Sequence, residues 1–172
     1  MDLAIDDFAL FGLPRRFALD RGELEARRRA LQAEVHPDRF TGADPAARRA
    51  AMQSAVRVNE AYARLGDPLR RAAYLCELAG APVRAEDNTA MPAAFLQQQM
   101  TWRESLDEAT SREQVEAIAR TLAEERERGF GRLAAALDDD RDFARAAQEV
   151  RALMFVERFA ADVERRLDAL EA

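Results

Sequence analysis

The sequence predicts an all-α protein, on three observations. Alanine, leucine, glutamate and arginine dominate a chain of 172 residues that holds only 7 glycines and 6 prolines, the composition of long amphipathic helices. Apolar side chains recur at spacings of three and four along most of the chain, which is the period of one helix face. Residues that start helices, Asp20, Asp67, Thr110 and Ser111, stand just ahead of these periodic stretches. With 48% hydrophobic and 34% charged residues, the chain has material for one good-sized core or two small ones.

The elements follow in order. DDFALFGLP reads as a short first helix ended by Gly12 and Pro14. Asp20 with Glu23 reads as a capping box opening a second helix from about Arg21 to Val35, with Leu24, Leu31 and Val35 on one face. Pro37 stops it, because a proline inside a helix removes a hydrogen bond and clashes with the turn before, at roughly 3 kcal/mol. After the loop HPDRFTGADP, Met52, Ala55, Asn59 and Tyr62 mark the core-type face of a third helix, Ala46 to Leu65, antiparallel to the second. Asp67 and Pro68 fit the N-cap and first position of a fourth helix through Leu78.

The stretch GAPVRAEDNTAMP has no helical period and holds two prolines and a glycine, which places a linker over 80–91 between a first domain, 1–79, and a second, 92–172. Three longer helices are predicted beyond it: about 92–108, about 112–137 after Thr110 and Ser111, and about 141–170 after an acidic run. Their length and short connections suggest a three-helix antiparallel bundle. On the first of them Phe95, Gln99, Trp102 and Leu106 share the core face, while Leu96, Met100 and Glu104 form a neighbouring stripe.

Composition also narrows function. The net charge is −6, and all 26 basic residues are arginine, so a general attraction to nucleic acid or an anionic membrane is not expected. The local run Arg27, Arg28, Arg29 is suited instead to an acidic protein partner. No run of about 18 apolar residues exists and MDLAIDDF lacks the regions of a signal peptide, so the expected location is cytoplasmic. One cysteine and one histidine cannot make a disulfide or a zinc site, and neither metal nor cofactor is expected. Cys76, following Leu75 in a helix, reads as a small buried apolar residue.

His36 opens the tripeptide His-Pro-Asp. Alone, that is a helix stop followed by a turn. A general-base role for His36 would need a nucleophile or substrate pocket, and nothing near it in sequence supplies one, so the chain is not read as an enzyme. The tripeptide does, however, join two antiparallel amphipathic helices, the second running into VNEAYARLGDPLRRAAYL.

That combination resembles a J-domain, the module that stimulates ATP hydrolysis by DnaK-type chaperones. FALFGLP, HPDRF and FLQQQMTWRESLDE extend the resemblance over nearly the whole chain to the HscB family, co-chaperones of iron-sulfur cluster assembly. The resemblance implies an N-terminal J-domain, a helical hairpin with its HPD loop, followed by a C-terminal three-helix bundle that binds an IscU-type scaffold protein. His36, Pro37, Asp38 and Arg39, with Arg27, Arg28 and Arg29, would contact an HscA- or DnaK-type chaperone, Asp38 offering a carboxylate that an arginine grips in bidentate fashion. Arg29 matches a commonly basic family position, whereas Arg28 stands where the family usually has an aromatic core residue, so its stem is expected to cover the core while its head reaches water. Ala30 and Glu34 replace residues often basic in general J-domains, which favours a dedicated HscA-type partner.

By the same resemblance Leu96, Gln97, Met100, Thr101, Glu104 and Glu108, with Phe155 on the last helix, would hold the scaffold. Gln97 and Thr101 depart from the apolar and acidic residues usual there. The expected function is delivery of the scaffold to the chaperone coupled to ATP hydrolysis, since holding both brings them together at high effective concentration. The alternatives are a J-domain adaptor for another client, or a helical structural or regulatory protein whose HPD is incidental.

Overall fold

A computed structural model describes residues 5–36, 44–84 and 91–171. Contacts between residues divide the chain into two compact units, Met1–Leu75 and Cys76–Ala172, a division that falls within the fourth helix. All regular structure among the described residues is helical.

In the first unit α1 spans Asp7–Phe11, α2 Arg21–Val35, α3 Pro45–Gly66 and α4 Pro68–Leu78. Local chemistry sets these limits. Asp6, Asp20, Asp44 and Asp67 each accept a hydrogen bond from a backbone N–H three residues on, satisfying donors that a helix start leaves open. Gly12 ends α1 at φ 63°, in the left-handed region that glycine enters without a Cβ penalty. At the α2 start the Asp20 half of the expected capping box is present, while the Glu23 carboxylate is engaged by Arg27 one turn on, at 3.3 Å.

Gln32 bonds Asn59 and Tyr62 bonds Glu25, so numbers rise along α2 as they fall along α3 and the pair is antiparallel. The core of this hairpin corrects the face read from the sequence. Ala51, Val58, Ala61 and Leu65 are buried on α3, whereas Met52 is 61% exposed, Asn59 is exposed, and Ala55 and Tyr62 are half-buried. The Asn59 and Tyr62 line is the flank that meets α2 through polar contacts, one step round the helix from the core. Phe8, Leu10, Phe11, Leu13, Phe17, Leu24 and Val35 complete the buried set with Ala72 and Leu75 of α4.

Asp7 is fully buried in this unit. Arg57 lies 2.6 Å from its Oδ1, Arg64 donates to Oδ2 at 2.7 Å, and its backbone N–H donates to the Tyr74 hydroxyl. Two guanidiniums thus compensate one buried carboxylate, a requirement for keeping such a charge out of water.

In the second unit α5 spans Ala93–Glu108 and α6 Arg112–Ala134, which passes into a π turn, Ala135–Asp139, before α7, Phe143–Glu171. Ser111 caps α6 in a full capping box with Gln114. Contacts rise together from Phe95–Phe155 through Trp102–Phe159 to Arg166 at the Ala109 carbonyl, so α5 and α7 are parallel. Arg126–Glu157 and Arg132–Glu149 run in opposite order, so α6 and α7 are antiparallel. The three-helix core is built on Trp102, Ala109, Val115, Leu122, Val156, Phe159 and Val163, with Phe95, Leu106 and Phe155 at its edge.

Gly129 is needed for close approach of α6 and α7, since a Cβ there would sit 2.7 Å from Leu153 Cδ2. Before α5, Gly80 closes α4 at φ 77°, and Arg151 of α7 donates to the Val83 carbonyl at 2.8 Å. Cys76 is buried, and burial pushes its thiol up to about 11, with the Arg151 charge pulling the other way. That is the inert end of cysteine behaviour.

Candidate functional site

The basic face of α2 is not uniform. Arg27 is exposed and paired with Glu23. Arg28 turns inward: its Cζ lies 4.0 Å from the Tyr62 ring centroid, and its Nε is buried without a hydrogen-bond partner. The head expected to reach water lies instead over an aromatic face, which receives the guanidinium. Arg29 is exposed.

His36 is the exposed C-cap of α2, with φ −62° and ψ 128°. That extended geometry is what a following proline demands, because the proline ring crowds a helical residue before it. Pro37, Asp38 and Arg39 lie outside the described residues. Among the described residues no group of three or more histidine, cysteine or carboxylate side chains is arranged to hold a metal, and no helix is long and apolar enough to cross a membrane.

On α5 the structure brings six expected residues onto one open surface. Leu96 is 44% and Met100 62% exposed, and Gln97, Thr101, Glu104 and Glu108 are exposed as well. Thr101 donates its hydroxyl proton to the Gln97 carbonyl at 3.2 Å, so part of its polar character is turned back on the helix. The core face of the same helix is Trp102, with Phe95, Gln99 and Leu106 half-buried, as the period predicts.

Phe155 stands differently from the other six. It is half-buried in an aromatic group, edge-on to Phe95 at 5.9 Å and stacked with Trp102 at 6.4 Å and Phe159 at 5.9 Å. Arg103, absent from the sequence-based site, places its Cζ 5.6 Å from the Phe155 centroid. Nothing local in the sequence marks that contact, because its two partners are 52 positions apart and meet only when α5 packs on α7.

Chemically the α5 surface offers apolar area and charge together. Two large apolar side chains, Leu96 and Met100, are exposed on the same helix as the carboxylates of Glu104 and Glu108. Such a face gains by covering Leu96 and Met100, at about 25 cal/mol per Å² of apolar area removed from water.

Comparison with known proteins finds relatives along nearly the whole chain. Residues 91–164 match the family model described as the HSCB C-terminal oligomerisation domain. The Co-chaperone protein HscB homolog of Burkholderia mallei (strain SAVP1) is 51% identical over 167 residues, covering 95% of each chain. Among solved structures, the chaperone HscB from Vibrio cholerae superimposes with a TM-score of 0.81 at 34% identity, over 96% of this chain and 99% of that one. The human co-chaperone protein HscB gives a TM-score of 0.87 at 26% identity, over 95% of this chain and 83% of that one. A J-domain-like hairpin ending in His36, a C-terminal three-helix bundle with an open apolar stripe, and half-identity along nearly all of a named relative lead to one conclusion: this chain belongs to the HscB co-chaperone family.

Proposed function

We propose that this chain is a co-chaperone of iron-sulfur cluster assembly that stimulates the ATPase of an HscA- or DnaK-type chaperone and delivers an IscU-type scaffold protein to it. The chain itself is an adaptor, acting in the cytoplasm without a cofactor. The cluster is cargo carried by the scaffold. Arg27, Arg29 and His36, with Pro37, Asp38 and Arg39, form the chaperone contact; Arg28 supports it from beneath by its seat on Tyr62. Leu96, Gln97, Met100, Thr101, Glu104 and Glu108 form the scaffold contact, with Phe155 as its backing wall.

The observation that carries this reading is the exposure of Leu96 and Met100 on the face of α5 turned away from Trp102, in a chain of the HscB family. A few desolvated apolar anchors usually dominate a protein interface, and these two are the most exposed large apolar side chains among the described residues of the bundle. The J-domain role fits the position of His36 at the end of an antiparallel hairpin.

The test is an ATPase assay with purified chaperone alone, with this protein, and with this protein plus scaffold. Stimulation by the protein and a further increase with scaffold are expected. Stimulation unchanged by scaffold points to a different client, and no stimulation at all rejects the J-domain role.

A further inference from the structure

We infer that Met100 is an oxidant-sensitive modification site whose conversion to the sulfoxide loosens the scaffold contact, an inference that rests on the scaffold reading above. The sulfur atoms of the chain divide by exposure. Cys76 is buried, and burial holds its thiol in the protonated form, so it offers no thiolate to an oxidant. Met91 and Met154 are half-buried, whereas Met52 is 61% and Met100 62% exposed. Met1 lies outside the described residues. Dissolved peroxide therefore meets two open thioethers among the described residues, one on α3 and one on α5.

The two differ in their surroundings. Met52 belongs to neither proposed contact. Met100 stands one turn from Leu96 and one turn from Glu104 on the open face of α5, and is one of the two large apolar side chains that the scaffold is proposed to cover. A leucine would supply similar apolar area without this reactivity; the thioether adds it.

The step needs peroxide as its oxidant. A sulfur lone pair attacks one peroxide oxygen, and the O–O bond breaks as the S–O bond forms. The departing hydroxide takes up the proton left on the transferred oxygen and becomes water. Met100 loses two electrons and peroxide gains them. The product carries a polar, hydrogen-bond-accepting S=O group where an apolar thioether stood. In the free protein that oxygen is solvated, because the side chain is exposed, and the fold is unaffected. Covering it with an apolar partner surface strips the water away without replacing its hydrogen bonds, which costs binding. Oxidation and scaffold binding thus oppose each other in both directions: a covered Met100 is shielded from peroxide, and an oxidised Met100 holds the scaffold less well.

The experiment treats the full chain with hydrogen peroxide, removes the peroxide, and measures binding of the IscU-type scaffold protein of the same organism. Peptide mass spectrometry reports oxidation at each methionine, and thermal unfolding is recorded for each sample. Expected are oxidation of Met52 and Met100 ahead of Met91 and Met154, an unchanged melting temperature, and binding weakened about tenfold. A methionine sulfoxide reductase should restore it. Met100→Leu should show the same affinity before and after peroxide, whereas Met52→Leu should remain as sensitive as the parent. Scaffold bound beforehand should slow oxidation of Met100 but not of Met52. Normal binding by parent protein carrying the Met100 sulfoxide overturns the inference, as does an equal loss in treated Met100→Leu. The untreated Leu96→Ala, Met100→Ala double variant then decides the face itself: weakened binding leaves the scaffold face standing without the switch, and normal binding rejects the face and the inference with it.

Discussion

Arg28 lays its guanidinium over the Tyr62 ring, Cζ to centroid 4.0 Å, while the Tyr62 hydroxyl donates to Glu25, so one arginine of the α2 run is a tie between α2 and α3. Arg29, its neighbour in sequence, is exposed. A single charged run thus divides into a structural member and a surface member.

Arg28→Ala is accordingly expected to cost about 1 kcal/mol of stability, the scale of a partly desolvated cation–π contact with its packed stem, and to lower the melting temperature by about 4 °C or more. Arg29→Ala should leave the melting temperature unchanged and reduce chaperone stimulation. Calorimetry beside the ATPase assay separates them. The opposite pattern, with Arg29 carrying the stability, refutes the division.

Asp38→Asn removes a charge with almost no change of shape. It should abolish stimulation of the chaperone ATPase, because a bidentate arginine contact needs the carboxylate, while circular dichroism and the melting curve stay as in the parent. Full stimulation by that folded variant is incompatible with the proposed contact.

On the proposed scaffold face, Leu96→Ala with Met100→Ala should weaken scaffold binding at least tenfold with little loss of stability, since both side chains are exposed in the free protein, Met100 more than Leu96. Phe155→Ala should behave differently. Its ring is packed with Phe95, Trp102 and Phe159, so truncation is expected to cost about 2 kcal/mol of stability as well as binding. Binding must be expressed per folded molecule. A collapse of stability in the Leu96 and Met100 double variant, with binding intact, makes the stripe core rather than interface.

Two glycines on α6 provide a test of packing. Gly131 has open space where a Cβ would go, so Gly131→Ala should stabilise by about 0.5–1 kcal/mol through helix propensity. Gly129, two residues earlier, faces Leu153 at 2.7 Å, so Gly129→Ala must push a buried side chain aside and should destabilise by about 1 kcal/mol net. Denaturant melts that show both variants shifting in the same direction contradict the close approach of α6 and α7.

What was legible in the sequence was mostly local. The limits of α2 at Arg21 and Val35, the Asp67 cap ahead of Pro68 in α4, and the Ser111 start of α6 follow from side chains that satisfy or block backbone groups within three or four residues. The exposed stripe of Leu96, Met100, Glu104 and Glu108 was likewise readable, because Trp102 and its half-buried neighbours anchor the phase of α5 and the period carries the rest. The family resemblance, resting on ordered motifs from FALFGLP to WRESLDE, supplied the scaffold role proposed for those positions.

Tertiary structure decided the rest. The core face of α3 is drawn largely in alanine, with Ala51 and Ala61 beside Val58 and Leu65, and alanine is so common in this chain that it gives no periodic contrast; larger Met52 and Tyr62 drew the eye to the wrong face. Asp7 looks like a first-turn acid until α3 closes over it with Arg57 and Arg64. Phe155 and Arg103 become one unit only when α5 lies along α7. The difference is one of range: caps, prolines and helical period act within a turn or two, whereas burial, ion pairing and ring contacts depend on residues tens of positions away, and their energies exist only once the helices have packed.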